Sequence, residues 1–344
     1  MFYGLWAQAN AEPLQIAVWP PGVGARALNM ELYTFQLSGG IDRGAAKRLE
    51  DKIKAITEKE ARLSFYLNSP GGNVLEGMEI GRLIRSYGMS VNIGVYRGEQ
   101  EDVLAGSCYS ACALAFLGGP YRYLQQGSTY GVHRFSGPGA TPHDLELGQI
   151  MSASVGSYIR EMDVDPKLFD FMSIAGKDEM NVLTRQKMKE LNVLNDGRAR
   201  PKWAIEVVTG AVYLRGEQDT VYGKGRLLVA CGRNGEGAVA QSYVSAGNQL
   251  ASILAGSWVH SLLIDGKTVP VEKPKVLLDA KNGYLMAMVD VSTKQAARMA
   301  SAKSLGHAIQ KDRETALYVG YQIDIPELDR QRVKTFFTNC AKGY

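Results

Sequence analysis

Long apolar runs are the first thing this 344-residue sequence lacks. No stretch approaches 18 consecutive apolar residues, so no membrane-spanning helix is expected. Charge of one sign is equally scarce: the net charge is +4. Residues 1–200 carry 21 basic and 22 acidic side chains, and the remainder carry 18 and 13. The slight basic excess therefore belongs to the C-terminal part, and it is too weak to predict a nucleic-acid partner. Histidine and cysteine number four each, with no CxxC or His-rich spacing, so no metal site is expected. No cofactor motif, internal repeat or low-complexity tract is present, and no cofactor is expected. What is present is a 45% hydrophobic share, ample for packed cores, in a length that suits two domains of about 150 residues each.

Residues 1–28 read as a lead-in. Met1 to Ala11, MFYGLWAQANA, is a short apolar stub followed by small-x-small triplets such as Ala7-Gln8-Ala9. That pattern resembles a secretory cleavage site without its basic n-region, and it equally fits an unstructured tail. Residues 29–195 alternate strand and helix signals. Leu32 to Leu37 reads as a strand, and Arg43 to Lys59 as an amphipathic helix with Ala46, Leu49, Ile53 and Ile56 on one face. Leu63 to Leu67 and Val91 to Val95 read as strands around a helix that ends near Tyr87. Further helices are predicted around Leu147–Glu161, Pro166–Met172 and Thr184–Leu191. Alternation of this kind predicts βαβ units and a mostly parallel sheet, an α/β fold.

Residues 196–202 are the best linker, and 203–344 follow a different grammar. Asp265-Gly266 and Asn282-Gly283 sit between apolar runs as hairpin signals. A smaller β-rich α+β domain is predicted, with helices near Thr293–Ile309 and Glu327–Ala341. A Cys231–Cys340 disulfide would suit a periplasmic or secreted protein, and two buried thiols a cytoplasmic one.

Three local patterns carry chemistry. Asn68-Ser-Pro-Gly71-Gly72 lies at a strand-to-helix junction, where glycines let backbone N–H groups face outward. Ser110, in Cys108-Tyr-Ser-Ala-Cys112, opens a helix of small and apolar residues, placing its hydroxyl and the Ala111 N–H at the positive end of the dipole. His133, in Gly131-Val-His133, follows a strand-like segment. Each has a bland alternative: a turn, an N-cap, a satisfied histidine. Together they supply an oxyanion site, a nucleophile and a base in order.

These segments resemble the ClpP/crotonase superfamily, in particular exported ClpP-like serine peptidase-type proteins, over about residues 30–195. The resemblance implies a stack of βαβ units and a serine hydrolase acting on a peptide or protein through an acyl-enzyme. It implies Ser110 as nucleophile, His133 as general base, and an oxyanion hole from the N–H groups of Gly72 or Gly71 and of Ala111. A homo-oligomer is compatible with it, whereas an ATPase partner is not inferred. The third triad member is the departure. The family's acid position holds Met180, which leaves Asp178, or alternatively Asn181, to orient the imidazole. That departure keeps open a catalytically silent ClpP-like scaffold, and a crotonase-like acyl-CoA enzyme stands as a third reading. Cys108 and Cys112 are open to three readings: a thiol nucleophile, a disulfide, or small buried side chains.

Overall fold

The computed structural model describes residues 12–342 apart from 28–30, 57–60, 88–89, 99–101, 135–141, 177–178, 209–210, 232–237, 246–249, 272–274, 280–283, 313 and 315–317. The cleavage-site pattern at 1–11 and most of the Gly/Pro-rich 137–142 segment thus lie outside the described residues. The chain forms two compact units, 1–197 and 198–344.

In the first unit, β1 (Gln15–Trp19) and the short α1 (Val23–Ala27) precede a βαβ series. That series runs β2 (Leu32–Ser38), α2 (Ala45–Lys54), β3 (Arg62–Asn68), α3 (Val74–Ser86) and β4 (Ser90–Ile93). A short hairpin of β5 (Val95–Arg97) and β6 (Asp102–Leu104) leads into β7 (Ser107–Tyr109) and α4 (Ala111–Leu117). Then come β8 (Tyr121–Leu124), β9 (Thr129–Val132), α5 (Pro142–Glu161), α6 (Leu168–Ile174), β10 (Asn181–Val182) and α7 (Arg185–Glu190). His143 falls in the first turn of α5.

Strands β2, β3, β4 and β8 pair in parallel in that order, with β1 antiparallel on the outer edge of β2. Phe35, Phe65 and Val91 align across the sheet, as do Leu37, Leu67 and Ile93, and all six are buried. Helix α2 buries Ala45, Leu49 and Ile53 at four-residue spacing. It is shorter than the pattern through Lys59, of which residues 57–60 are not described. Carboxylate oxygens of Glu76 on α3 accept from the N–H groups of Gly44 and Ala46, satisfying donors at the start of α2.

Beyond β3 the chain bends into a second, small sheet. Ser69 bridges Cys108, and β7 pairs in parallel with β9, which pairs with β10. All seven residues of α4 are buried, which fits a helix with no polar face. Asp196, expected in the linker, belongs structurally to this unit, as does its neighbour Asn195. Asn195 accepts from the Arg122 N–H and donates to Pro120 O, and Asp196 pairs with Arg185 and Lys189.

The second unit holds an antiparallel sheet of β11 (Lys202–Val208), β12 (Ala211–Thr220), β13 (Gly223–Cys231) and β14 (Ala238–Ser245), completed after α8 (Leu250–Ala255) by later strands. The other sheet begins with the hairpin β15 (Val259–Ile264) and β16 (Lys267–Pro270), turned by Asp265 and Gly266, both at positive φ. β17 (Lys275–Asp279) and β18 (Tyr284–Val291) pair at the edge of the first sheet; the Asn282-Gly283 turn between them is outside the described residues. α9 (Thr293–Ala300), β19 (Ser304–Gln310), β20 (Val319–Asp324) and α10 (Glu327–Lys342) complete the unit.

The helix expected through Ile309 stops at Ala300. Ser304–Gln310 is instead a strand with every residue buried, flanked by β15 and β20. A strand covered on both faces loses the alternation that would mark it, and its apolar residues mimic helical spacing. Cys231 and Cys340 form a disulfide that joins β13 to α10. No helix among the described residues is long and apolar enough to cross a membrane.

The two sheets of this unit share a buried hydrogen-bond chain. Tyr321 Oη donates to Arg226 O, so Ser242 Oγ donates to Tyr321 Oη. His307 Nδ1 then donates to Ser242 Oγ, and its Nε2 accepts from His260 Nδ1. With both imidazoles neutral, every bond of this chain has one hydrogen. Burial, and secondarily His260, push the His307 pKa down to about 3 from 6.5. The unfolded chain therefore takes up a proton below pH 6.5 that the native state refuses until about pH 3. Stability conferred by neutral His307 is complete above 6.5 and is lost as pH falls through that window. Chemical unfolding at pH 4.5 should find this unit about 3 kcal/mol less stable than at pH 7. An unchanged midpoint would refute the neutral-chain assignment.

Candidate active site

Ser110 joins the end of β7 to the start of α4 with φ 56° and ψ −120°. That backbone region is costly for any residue with a Cβ, by roughly 1–3 kcal/mol, and persists where surrounding structure imposes it. Here the Tyr109 N–H donates to Ser69 O, the Ser110 N–H to Gly131 O, and the Ala113 N–H to Ser110 O. Ser110 stands at the N-cap position, yet its side chain caps nothing. The hydroxyl is thus held at a helix start without the usual capping bond, and it faces a cleft.

That cleft is small, and it is lined by Val74, Ser110, Ala111, Leu114, Val132, His133 and Met172. Ser110 and His133 both line it, with no hydrogen bond between them, and the remaining walls are apolar. His133 is 7% exposed, and neither ring nitrogen has a hydrogen-bond partner among the described residues. A buried imidazole with both nitrogens unspent is costly. Burial holds its pKa below the usual 6.5, keeping the ring a neutral base near pH 7.

The glycine pair packs against this elbow. Gly71 sits at φ 99°, and a Cβ there would lie 2.5 Å from Tyr109 O and 2.7 Å from Ser110 Cβ. Its N–H donates to Ser69 Oγ at 3.1 Å, so Gly71 gives close approach rather than an oxyanion donor. Gly72 bridges Ile41: the Ile41 N–H reaches Gly71 O, and Ile41 O accepts from Asn73. In that pattern the Gly72 N–H points away from Ile41. No acceptor holds the N–H of Gly72 or Ala111 among the described residues, and these two remain the available donors.

The sequence candidates for the third position are Asp178 and Asn181. Asp178 lies outside the described residues. Asn181 pairs with Val132 across β10 and β9, but its Nδ2 donates to Phe171 O at 3.0 Å, and no bond ties it to His133. Met180 packs onto Gly131, where a Cβ would come within 2.6 Å of its Cγ. The Glu179 carboxylate accepts from the Gly176 N–H. Among the described residues no acid orients His133, and no group of three His, Cys, Asp or Glu side chains could hold a metal ion.

Sequence reasoning missed the cleft walls and the small residue behind them. Gly77 on α3 lets α4 approach until a Cβ would meet Ala111 O at 2.4 Å. Its spacing of four from Gly81 was the available signal. Cys108 and Cys112 form a disulfide across the elbow, so neither thiol is a nucleophile in this state.

No family model matches the chain, and no curated protein matches it. Among solved structures, a mutant of the 1510-N membrane-bound stomatin-specific protease is similar at 20% identity and TM-score 0.36, over 48% of this chain and 76% of that one. A mutant of ClpP1 from Listeria monocytogenes is similar at 18% identity and TM-score 0.37, over 47% of this chain and 88% of that one. A second mutant of the 1510-N protease, in complex with a substrate peptide, is similar at 20% identity and TM-score 0.36, over 48% and 72%.

Proposed function

We propose that the first unit is a ClpP-like serine hydrolase, a peptidase by class, acting on a peptide or protein substrate. The observation that carries this reading is the uncapped Ser110, held at φ 56° in the same cleft as a buried, partnerless His133. Ser110 Oγ attacks the acyl carbonyl while His133 takes its proton. The N–H groups of Gly72 and Ala111 receive the developing oxyanion, and His133 returns the proton to the leaving group. Water, deprotonated by the same imidazole, then attacks the acyl carbon, and the bond to Ser110 Oγ breaks as His133 returns the proton to that oxygen. Two disulfides in one chain support a periplasmic or secreted location, where such bonds persist.

An activated acyl ester tests this. Wild type should release a burst of about one leaving group per chain before steady turnover. Ser110→Ala should release none. A burst that survives in Ser110→Ala would exclude this nucleophile. The pH dependence of kcat/KM should rise with pH along an acid limb centred below 6.5, because burial disfavours the imidazolium. A limb centred above 6.5 would mean that another group is the base.

The absence of an orienting acid among the described residues favours a second reading, a silent scaffold. Loss of such a partner lowers turnover by up to roughly 10⁴-fold while leaving the geometry intact. A burst without steady turnover would mark the intermediate case, an acylating site that deacylates poorly.

A further inference from the structure

The disulfide at the elbow has no part in the chemistry above, yet it spans the strained residue. Cys108 lies in β7 and Cys112 in the first turn of α4, with Cα atoms 5.2 Å apart and Ser110 midway between them. Both sulfur-bearing residues are buried, at 0% and 1% exposure. The ring they close contains the non-glycine backbone at φ 56° and the Ala111 N–H. A ring this short restrains the unfolded chain much less than Cys231–Cys340, whose partners are 109 residues apart. The longer bridge is placed to stabilise its unit. The shorter one closes a ring around a backbone conformation that is costly by itself.

We propose that the Cys108–Cys112 disulfide is a positioning brace for the Ser110 elbow, so that the nucleophile is competent in the oxidised protein and impaired in the dithiol form. This rests on Ser110 being the nucleophile. Reduction takes two electrons and two protons from a dithiol reductant: the S–S bond breaks, two thiols form, and the reductant closes to its own disulfide. Freed of the bridge, the Tyr109–Ala111 backbone is held at positive φ only by its bonds to Ser69 and Gly131 and by packing on Gly71, and it can relax from there. The hydroxyl then turns from His133, and the Ala111 N–H loses its aim.

The test compares the full-length wild type with Cys108→Ala/Cys112→Ala and Cys231→Ala/Cys340→Ala, reading both the fluorophosphonate labelling rate and the melting temperature. The elbow pair should lower the maximal labelling rate at saturating probe by about tenfold or more, with a small change in Tm. The other pair should lower Tm and leave the labelling rate of the folded protein unchanged. As a check independent of folding, the Cys231→Ala/Cys340→Ala protein, which keeps only the elbow bridge, is reduced with dithiothreitol and reoxidised. Its rate should fall and then recover. Equal rates with and without the elbow bridge in a wild type that labels would overturn the brace alone. A wild type that never labels would remove the nucleophile assignment, and the brace with it.

Discussion

Arg122→Met should cost the first unit about 1–3 kcal/mol, the range seen when buried polar groups lose their hydrogen-bond partners. Arg122 is 2% exposed, on β8, and no carboxylate pairs with it among the described residues. Its guanidinium instead donates to four carbonyls: Leu117 and Gly119 at the end of α4, and Asn192 and Val193 after α7. A cation at the carbonyl ends of two helices interacts favourably with both dipoles, and its donors satisfy oxygens that the helices leave unpaired. Burial, with a smaller contribution from nearby Arg85, lowers its pKa to about 9, still charged at neutral pH. Methionine fills much of the volume but leaves those oxygens buried without these donors. For a unit of this size each kcal/mol lost should lower the melting temperature by about 2–4 °C. A change within about 0.5 kcal/mol would mean that water or backbone relaxation replaces the guanidinium at little cost.

Gly71→Ala should have the larger effect on activity. The alanine Cβ would have to share space with Tyr109 O and Ser110 Cβ, at a backbone φ of 99° that disfavours any side chain. The strain alone is worth roughly 1–3 kcal/mol. Relief requires the β3–α3 turn or the Ser110 elbow to move. Displacement of a nucleophile by about 1 Å is enough to cost roughly 10²-fold, and loss of an oxyanion contact adds 10²–10³. Ester hydrolysis should therefore fall by at least about 10²-fold while the far-UV circular dichroism stays native. Gly44→Ala is the matched control. It also sits at positive φ, 85°, but the nearest atom to a Cβ would be Arg48 Nη1 at 3.8 Å, far from crowding. It should lose stability and keep activity. Equal activity losses in the two variants would contradict the packing argument.

The first unit was legible because each strand and helix announces itself locally: apolar runs of strand length, helices with one buried face, and Gly-Gly at the β3–α3 turn. Ser110 and His133 could be selected from their surroundings for the same reason. What singles out Ser110, its positive φ, was not readable, because backbone strain is imposed by Ser69, Gly71 and Gly131 from other segments. Gly71 drew attention as a donor, and its actual contribution is the absence of a side chain. Arg122 was not readable as a core residue, since its four acceptors come from separate helix ends. In the second unit, His307 sits in a segment whose apolar spacing imitates a helix, and only pairing with β15 and β20 makes it a strand. The disulfide at the elbow was one of three open readings, decided by where the β7–α4 junction falls.

The central claim is that Ser110 is a nucleophile activated by His133. Its most direct test is peptide mass mapping after treatment of the full-length, oxidised protein with a fluorophosphonate. One adduct per chain is expected, on Ser110, absent from Ser110→Ala and slowed by orders of magnitude in His133→Ala. A folded, oxidised wild type that carries no adduct, or one that carries it on another residue, would contradict the account.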